Sequence, residues 1–142
     1  MFLKKKCPSC GAKNPKDATA CISCSAPFEL RMVEIEYDGA IHRIPQDALD
    51  YFNRGNTYHK RRMHEEAIED FDKAIQLYSQ YFLPDDDLAN LLLAQAYLHR
   101  GRAYSELGSK AEAIADFEKC VTLTKNPQWK QMVKQEIEEL SK

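Results

Sequence analysis

Four of the five cysteines in this chain of 142 residues fall in one short stretch, CPSCGAKNPKDATACISC, at Cys7, Cys10, Cys21 and Cys24. Each C-x2-C pair forms a tight turn that points two sulfurs inward and turns backbone N–H groups towards them. Two such turns build a tetrahedral four-thiolate site, and sulfurs at this spacing suit one Zn2+. They also close the coordination sphere, so the expected role of the ion is structural. A redox role would need a thioredoxin-like βαβ setting, which the surrounding sequence does not supply. Pro8 and Gly11 suit the first turn, while Ser25 stands where glycine would be easier in the second and predicts strain there.

No other group of residues has the makings of a reaction centre. The histidines, His42, His59, His64 and His99, are dispersed, and HEEAI at His64 lacks the second histidine of a helical metal site. No glycine-rich phosphate loop and no nucleophile beside its base can be found. The acidic run Asp85 to Asp87 lacks the glycine and distal glutamate of a calcium loop. Cys120 lies on the inward face of a helical pattern and reads as a small apolar residue. The sequence therefore predicts that the protein is not an enzyme.

Charge and hydropathy narrow the partners. The net charge of −2 gives no global attraction to nucleic acid or to an anionic membrane. It is unevenly spread, with five lysines and one acid in residues 1–28 against 13 basic and 17 acidic side chains in residues 47–142. MFLKKK carries no apolar signal region, and LANLLLAQAYL is too short for a membrane span. These features lead to the expectation of a cytoplasmic protein without a membrane partner, and in a reducing compartment the cysteine pairs read as metal ligands before disulfides.

Two kinds of element must position the cysteines. In RMVEIEYDGAIHRIP, apolar and acidic residues alternate up to Asp38-Gly39, a two-residue type I′ loop. That loop pairs Tyr37 with Ala40, Ile35 with His42, Glu34 with Arg43 and Val33 with Ile44. A lone hairpin is marginal in water, so it should pack on the cysteine unit, the helices, or both. From Gln46 onward the pattern is helical and repeats internally. Tyr51 to Leu77 and Tyr97 to Leu123 share 11 of 27 positions at an offset of 46, concentrated in RG..Y and EAI.DF.K.

The repeat resembles the tetratricopeptide repeat. Tyr51, Gly55, Tyr58, Ala67, Phe71 and Ala74 match its pattern in the first copy, and Tyr97, Gly101, Tyr104, Ala113 and Phe117 in the second. Arg54 and Arg100 stand where that family has leucine, and Cys120 where it has alanine. Ala67 and Ala113 are expected to give Gly55 and Gly101 a matching small surface, flanked by the aromatic rings. The family repeats every 34 residues; the 12 extra ones here, around SQYFLPDDDLANLL, lengthen the two central helices by roughly three turns. Asn126 and Pro127 start a last helix whose stripe of Trp129, Met132, Val133, Ile137 and Leu140 caps the array. The cysteine stretch in turn resembles the short zinc ribbons at the N-termini of bacterial and archaeal proteins, with CPSCGAKNP carrying the likeness.

Together these readings predict a mainly α chain: two tetratricopeptide-like helix pairs and a capping helix, preceded by a four-cysteine zinc ribbon and a β-hairpin. The expected divisions are a ribbon over 1–28, a hairpin over 29–46 and a helical domain over 47–142. Within that domain the repeats run over 47–82 and 85–125, and the cap over 127–141. Two repeats and a cap are near the minimum for such an array, so support is expected from the N-terminal unit or from self-association. The resemblance implies a non-catalytic adaptor whose first helices line a groove for a protein or peptide, through Phe52, Asn56, His59, Lys60, Leu98, His99, Arg102 and Glu106. Phe52 stands where some family members keep a clamp lysine for a C-terminal carboxylate, so that clamp is not expected. The second reading is a nucleic-acid-associated factor that uses the basic ribbon. Against it, the ribbon has no arginine and no interleaved aromatic for base stacking.

Overall fold

The computed structural model describes residues 4–7, 9–15, 20–25, 32–81 and 86–142. Pro8, Lys16, Pro84 and Asp85, and the side chain of Arg43, lie outside the described residues, as do the expectations placed on them.

The chain begins with two short antiparallel strands, β1 (Lys4–Lys6) and β2 (Lys13–Pro15), which pair Lys4 with Pro15 and Lys6 with Lys13. A separate hairpin comes next, β3 (Met32–Tyr37) and β4 (Ala40–Pro45). Its register is the expected one, from Tyr37–Ala40 to Met32–Pro45, and includes Glu34 opposite Arg43. Asp38 and Gly39 both take positive φ, 53° and 76°, as a type I′ loop requires. The hairpin packs through β4 on the first two helices, where Ile44 and Pro45 are fully buried. That burial stabilises a two-stranded ribbon that water alone would not.

Five helices make up the rest of the described chain: α1 (Gln46–Lys60), α2 (His64–Tyr81), α3 (Asp87–Glu106), α4 (Lys110–Leu123) and α5 (Pro127–Leu140). Strand β4 runs directly into α1, with Pro45 both its last residue and the helix N-cap. The N-terminus of α3 is capped by the Asp86 side chain, which accepts from Ala89 N, and that of α5 by Asn126, which accepts from Gln128 N and Trp129 N. The insertion appears as length: α2 has 18 residues and α3 has 20, against 15 in α1 and 14 in α4.

Consecutive helices pack side by side, each pair closing on a phenylalanine. A Cβ on Gly55 would lie 2.8 Å from Phe71 Cε1, and one on Gly101 would lie 2.8 Å from Phe117 Cε1. Both rings are fully buried. The ring itself occupies the space that a Cβ would need at each glycine, and Ala67 and Ala113 are buried in the same layers. Two cores result. One joins Ala48, Ala74, Leu77 and Tyr78, and the other joins Ala94, Leu98, Phe117, Cys120 and Val133. Within the capping stripe, Trp129, Val133, Ile137 and Leu140 pack on the second core, but Met132 is exposed and leaves that stripe.

Both turns within the pairs are Schellman motifs. Met63 N donates to Tyr58 O and Arg62 N to His59 O, just as Ser109 N donates to Tyr104 O and Gly108 N to Ser105 O. The residue that must take positive φ is Gly108 at 81° in the second turn and Arg62 at 63° in the first.

Candidate metal centre and the face of the first helices

The β1–β2 ribbon ends at Cys7, whose N–H donates to Ala12 O at 2.8 Å and whose carbonyl accepts from Gly11 N at 2.9 Å. The second turn repeats the motif, with Ser25 N donating to Cys21 O at 2.8 Å. Gly11 (φ 77°) and Ser25 (φ 61°) hold equivalent places, so the expected strain at Ser25 is a left-handed backbone carried by a residue with a Cβ. The N–H of Ser9 donates to Cys7 Sγ and that of Ser23 to Cys21 Sγ, each at 3.4 Å. All four sulfurs lie within 4.8 Å of one another, with Cys7–Cys24 at 3.6 Å and Cys10–Cys21 at 3.5 Å. Those separations exceed a disulfide bond, about 2.05 Å. They are near the edge of a tetrahedron with metal–sulfur bonds of about 2.3 Å. Four close cysteines here can hold a metal ion.

Sequence reading missed the residue that ties the two turns together. Asn14, 1% exposed, accepts from Ile22 N through Oδ1 at 2.8 Å. Its Nδ2 donates to Ala12 O at 2.8 Å and to Cys21 Sγ at 3.5 Å. Burial would raise the Cys21 thiol, but N–H donors from Cys24 and Ser23 and the Asn14 amide outweigh it, bringing the thiol down to about 6. The only signal in the sequence was an asparagine between two turns that both needed donors.

The cysteine unit stands against the first helix pair. A cavity of about 240 Å³ is lined by Ser9, Cys10 and Cys24 on one side and Tyr51, Lys73, Gln76 and Leu77 on the other.

The eight residues expected to line a groove have different surroundings. Phe52 on α1 meets His99 on α3 edge-on at 5.4 Å, and both rings lean on Phe71. Burial and then the Arg102 charge push His99 down to about 4, so it is neutral near pH 7. Asn56 is half-buried, while Lys60 and Glu106 are exposed on the same run of helices. Arg102 bridges to α5, with its Nη2 2.6 Å from Glu136 Oε1. His59 Nδ1 lies 3.0 Å from His64 Nδ1, at the turn between α1 and α2. Leu98 is the correction: at 3% exposure it belongs to the second core and offers no surface to a partner. The structure thus joins α1 to α3 through Phe52–His99, and α3 to α5 through Arg102–Glu136. Glu136 was missed because the α5 stripe was read as wholly apolar.

Cys120 is fully buried, and burial pushes its thiol up to about 11, as a small apolar residue requires. No helix among the described residues is long and apolar enough to cross a membrane.

Each pair carries a further shared device. Arg54 grips Asp70 through Nε and Nη2, both at 2.7 Å, and Arg100 grips Asp116 at 2.8 and 2.7 Å. The Arg54 guanidinium lies 5.6 Å from the rings of both Tyr51 and Tyr58, and that of Arg100 lies 5.3 and 5.8 Å from Tyr97 and Tyr104. Residues 48–81 and residues 94–127 each match the tetratricopeptide-repeat family, with starting points at the internal period. The two helix pairs are tetratricopeptide-like. No curated protein matches the chain. Among solved structures, the first tetratricopeptide repeat of Spaghetti (RPAP3), bound to the HSP90 peptide SRMEEVD, is 24% identical. The match covers 68% of this chain and 91% of that one, at a TM-score of 0.30. In these tetratricopeptide-like pairs, the arginine at each leucine position is held by an aspartate 16 residues on, so the departure from the repeat pattern is structurally compensated.

Proposed function

We infer that the protein is a non-catalytic adaptor in which α1, α3 and α5 present a face for an extended or helical peptide of a partner protein. The observation that carries this reading is the continuity of that face. Phe52 and His99 form a half-buried aromatic step across α1 and α3, with Asn56 beside it and Lys60 and Glu106 exposed on the same helices. The aromatic step supplies apolar anchoring area, and the amide and charged groups supply orientation. Because Arg102 is engaged with Glu136, Asn56 and Lys60 are the better probes.

The metal that Cys7, Cys10, Cys21 and Cys24 would hold is Zn2+, whose role with four protein thiolates would be structural. These residues would hold the metal, and its binding would fix the N-terminal unit against α1 and α2. An unbridged four-cysteine centre suits a reducing compartment, consistent with a cytoplasmic protein.

The test is affinity capture from the native host with the intact protein, followed by titration of each captured partner's peptides. An Asn56→Ala/Lys60→Glu variant with unchanged thermal stability should lose at least one partner. An unchanged set of partners and affinities would sink the groove reading.

A further inference from the structure

The two Tyr–Arg–Tyr devices differ in one respect. In the second pair every edge of the guanidinium is used: Nε and Nη2 bind Asp116, and Nη1 donates to Asp72 Oδ1 at 2.6 Å. Asp72 belongs to α2, the second helix of the preceding pair. In the first pair the same two nitrogens bind Asp70, but Nη1 of Arg54 has no partner among the described residues. The Arg54 side chain is 54% exposed, against 20% for Arg100.

The difference comes from position in the array. Arg100 has a helix pair before it, whereas among the described residues only strands and the cysteine turns precede the helix of Arg54. The cysteine unit stands against Tyr51 and Lys73, and the hairpin against α1 and α2, yet they leave the Arg54 head exposed. Arg61, the exposed C-cap of α1 seven residues after Arg54, adds a second positive charge at that end of the helix. Asp70 fixes the fork and the two rings fix the plane, so Nη1 is held in place before anything binds.

The geometry points to a second docking surface: the outer face of Arg54, Tyr58 and Arg61 receives a carboxylate carried on a helix of a partner protein, seated as Asp72 is seated on Arg100. The chain itself supplies the precedent, because one copy of the device shows what the other lacks. This surface is distinct from the Phe52–His99 face, since Arg54 pairs with Asp70 while Phe52 packs on Phe71 and His99.

The probe is a synthetic peptide of the chain's own residues 64–81, which presents Asp72, together with its Asp72→Asn counterpart. Added to the intact, metal-loaded protein, the first peptide should shift the Arg54 guanidinium 15N–1H NMR signals. The counterpart should bind at least about tenfold weaker, the loss expected when a charge-assisted hydrogen bond is removed. An Arg54→Lys protein keeps a cation for Asp70 but loses the fork. With unchanged circular dichroism and melting temperature, it should also bind at least about tenfold weaker. The Asn56→Ala/Lys60→Glu protein should bind normally. Equal affinities for the two peptides, or unmoved Arg54 signals, would overturn the proposal. So would self-association in sedimentation that Arg54→Lys abolishes, because the face would then serve a second copy of the chain.

Discussion

Arg100 and Asp116 form a two-point ion pair across α3 and α4, at 2.8 and 2.7 Å, with Asp116 almost wholly removed from water. The arginine occupies a leucine position of the repeat, and the aspartate gives that guanidinium a counter-charge in the packed layer. Arg100 then reaches on to Asp72, so one side chain links the two helices of its own pair and ties that pair to the one before it.

Arg100→Leu, which restores the family's residue, should therefore destabilise the protein. It leaves Asp116 buried and unpaired, at a cost of about 3 kcal/mol. Arg100→Leu/Asp116→Leu should recover most of that loss, since apolar replacement of a buried pair is close to neutral. Urea unfolding of the two variants and of Asp116→Leu completes the cycle. A double variant no more stable than Arg100→Leu would show that the pair is not the unit that matters.

The paired turns suggest a stabilising change. Arg62 takes φ 63° where Gly108 takes 81° at the equivalent place. Left-handed backbone costs a residue with a Cβ about 1–2 kcal/mol, so Arg62→Gly should raise stability by about 1 kcal/mol once the entropy of the unfolded chain is counted. Thermal melts of Arg62→Gly and Arg62→Ala compare the two. A glycine variant no more stable than the alanine one would rule out backbone strain as the cause.

Asn14 offers a test of the metal centre that spares its ligands. Asn14→Ala removes the donor to Cys21 Sγ and the acceptor for Ile22 N, while all four cysteines remain. Zn2+ affinity should fall by roughly 10- to 100-fold, as is usual when a partner of a metal ligand is lost. Competition with a chromophoric chelator measures it. Chelation of the wild type should remove the NMR dispersion of residues 4–25 while far-ultraviolet circular dichroism of α1–α5 persists.

The pH response comes from His99. Its native value, about 4, lies below the ordinary 6.5, so between those values the unfolded chain binds the extra proton. Stability contributed by neutral His99 is complete above about pH 6.5 and is lost as pH falls towards 4. His99→Gln should flatten the curve of unfolding free energy against pH in that window. An unchanged slope would assign the acid sensitivity to other groups.

Much of this molecule was legible before folding was considered. The cysteine spacing placed four sulfurs because metal-ligand geometry is local to two tight turns. The hairpin register came from Asp38-Gly39, since a two-residue loop leaves one pairing. The repeat announced itself because each copy must bury the same ring against the same glycine, at Gly55–Phe71 and Gly101–Phe117. A signal for the Arg–Asp pairs was also present, an arginine and an aspartate 16 residues apart written twice. It went unread because a charge at an apolar position looks like a departure until its partner is seen.

The sequence alone determined the elements whose cause lies within a few neighbouring residues: the cysteine turns, the hairpin, the helices, their caps and their period. Only the tertiary structure decided which side chains became partners across those elements. Arg100 meets Asp72 over 28 residues, and Arg102 meets Glu136 over 34. Leu98 disappears into the core while its neighbour His99 lies against Phe52. Such pairings depend on how far one helix is turned and shifted against the next, which packing of whole surfaces settles and no local pattern encodes.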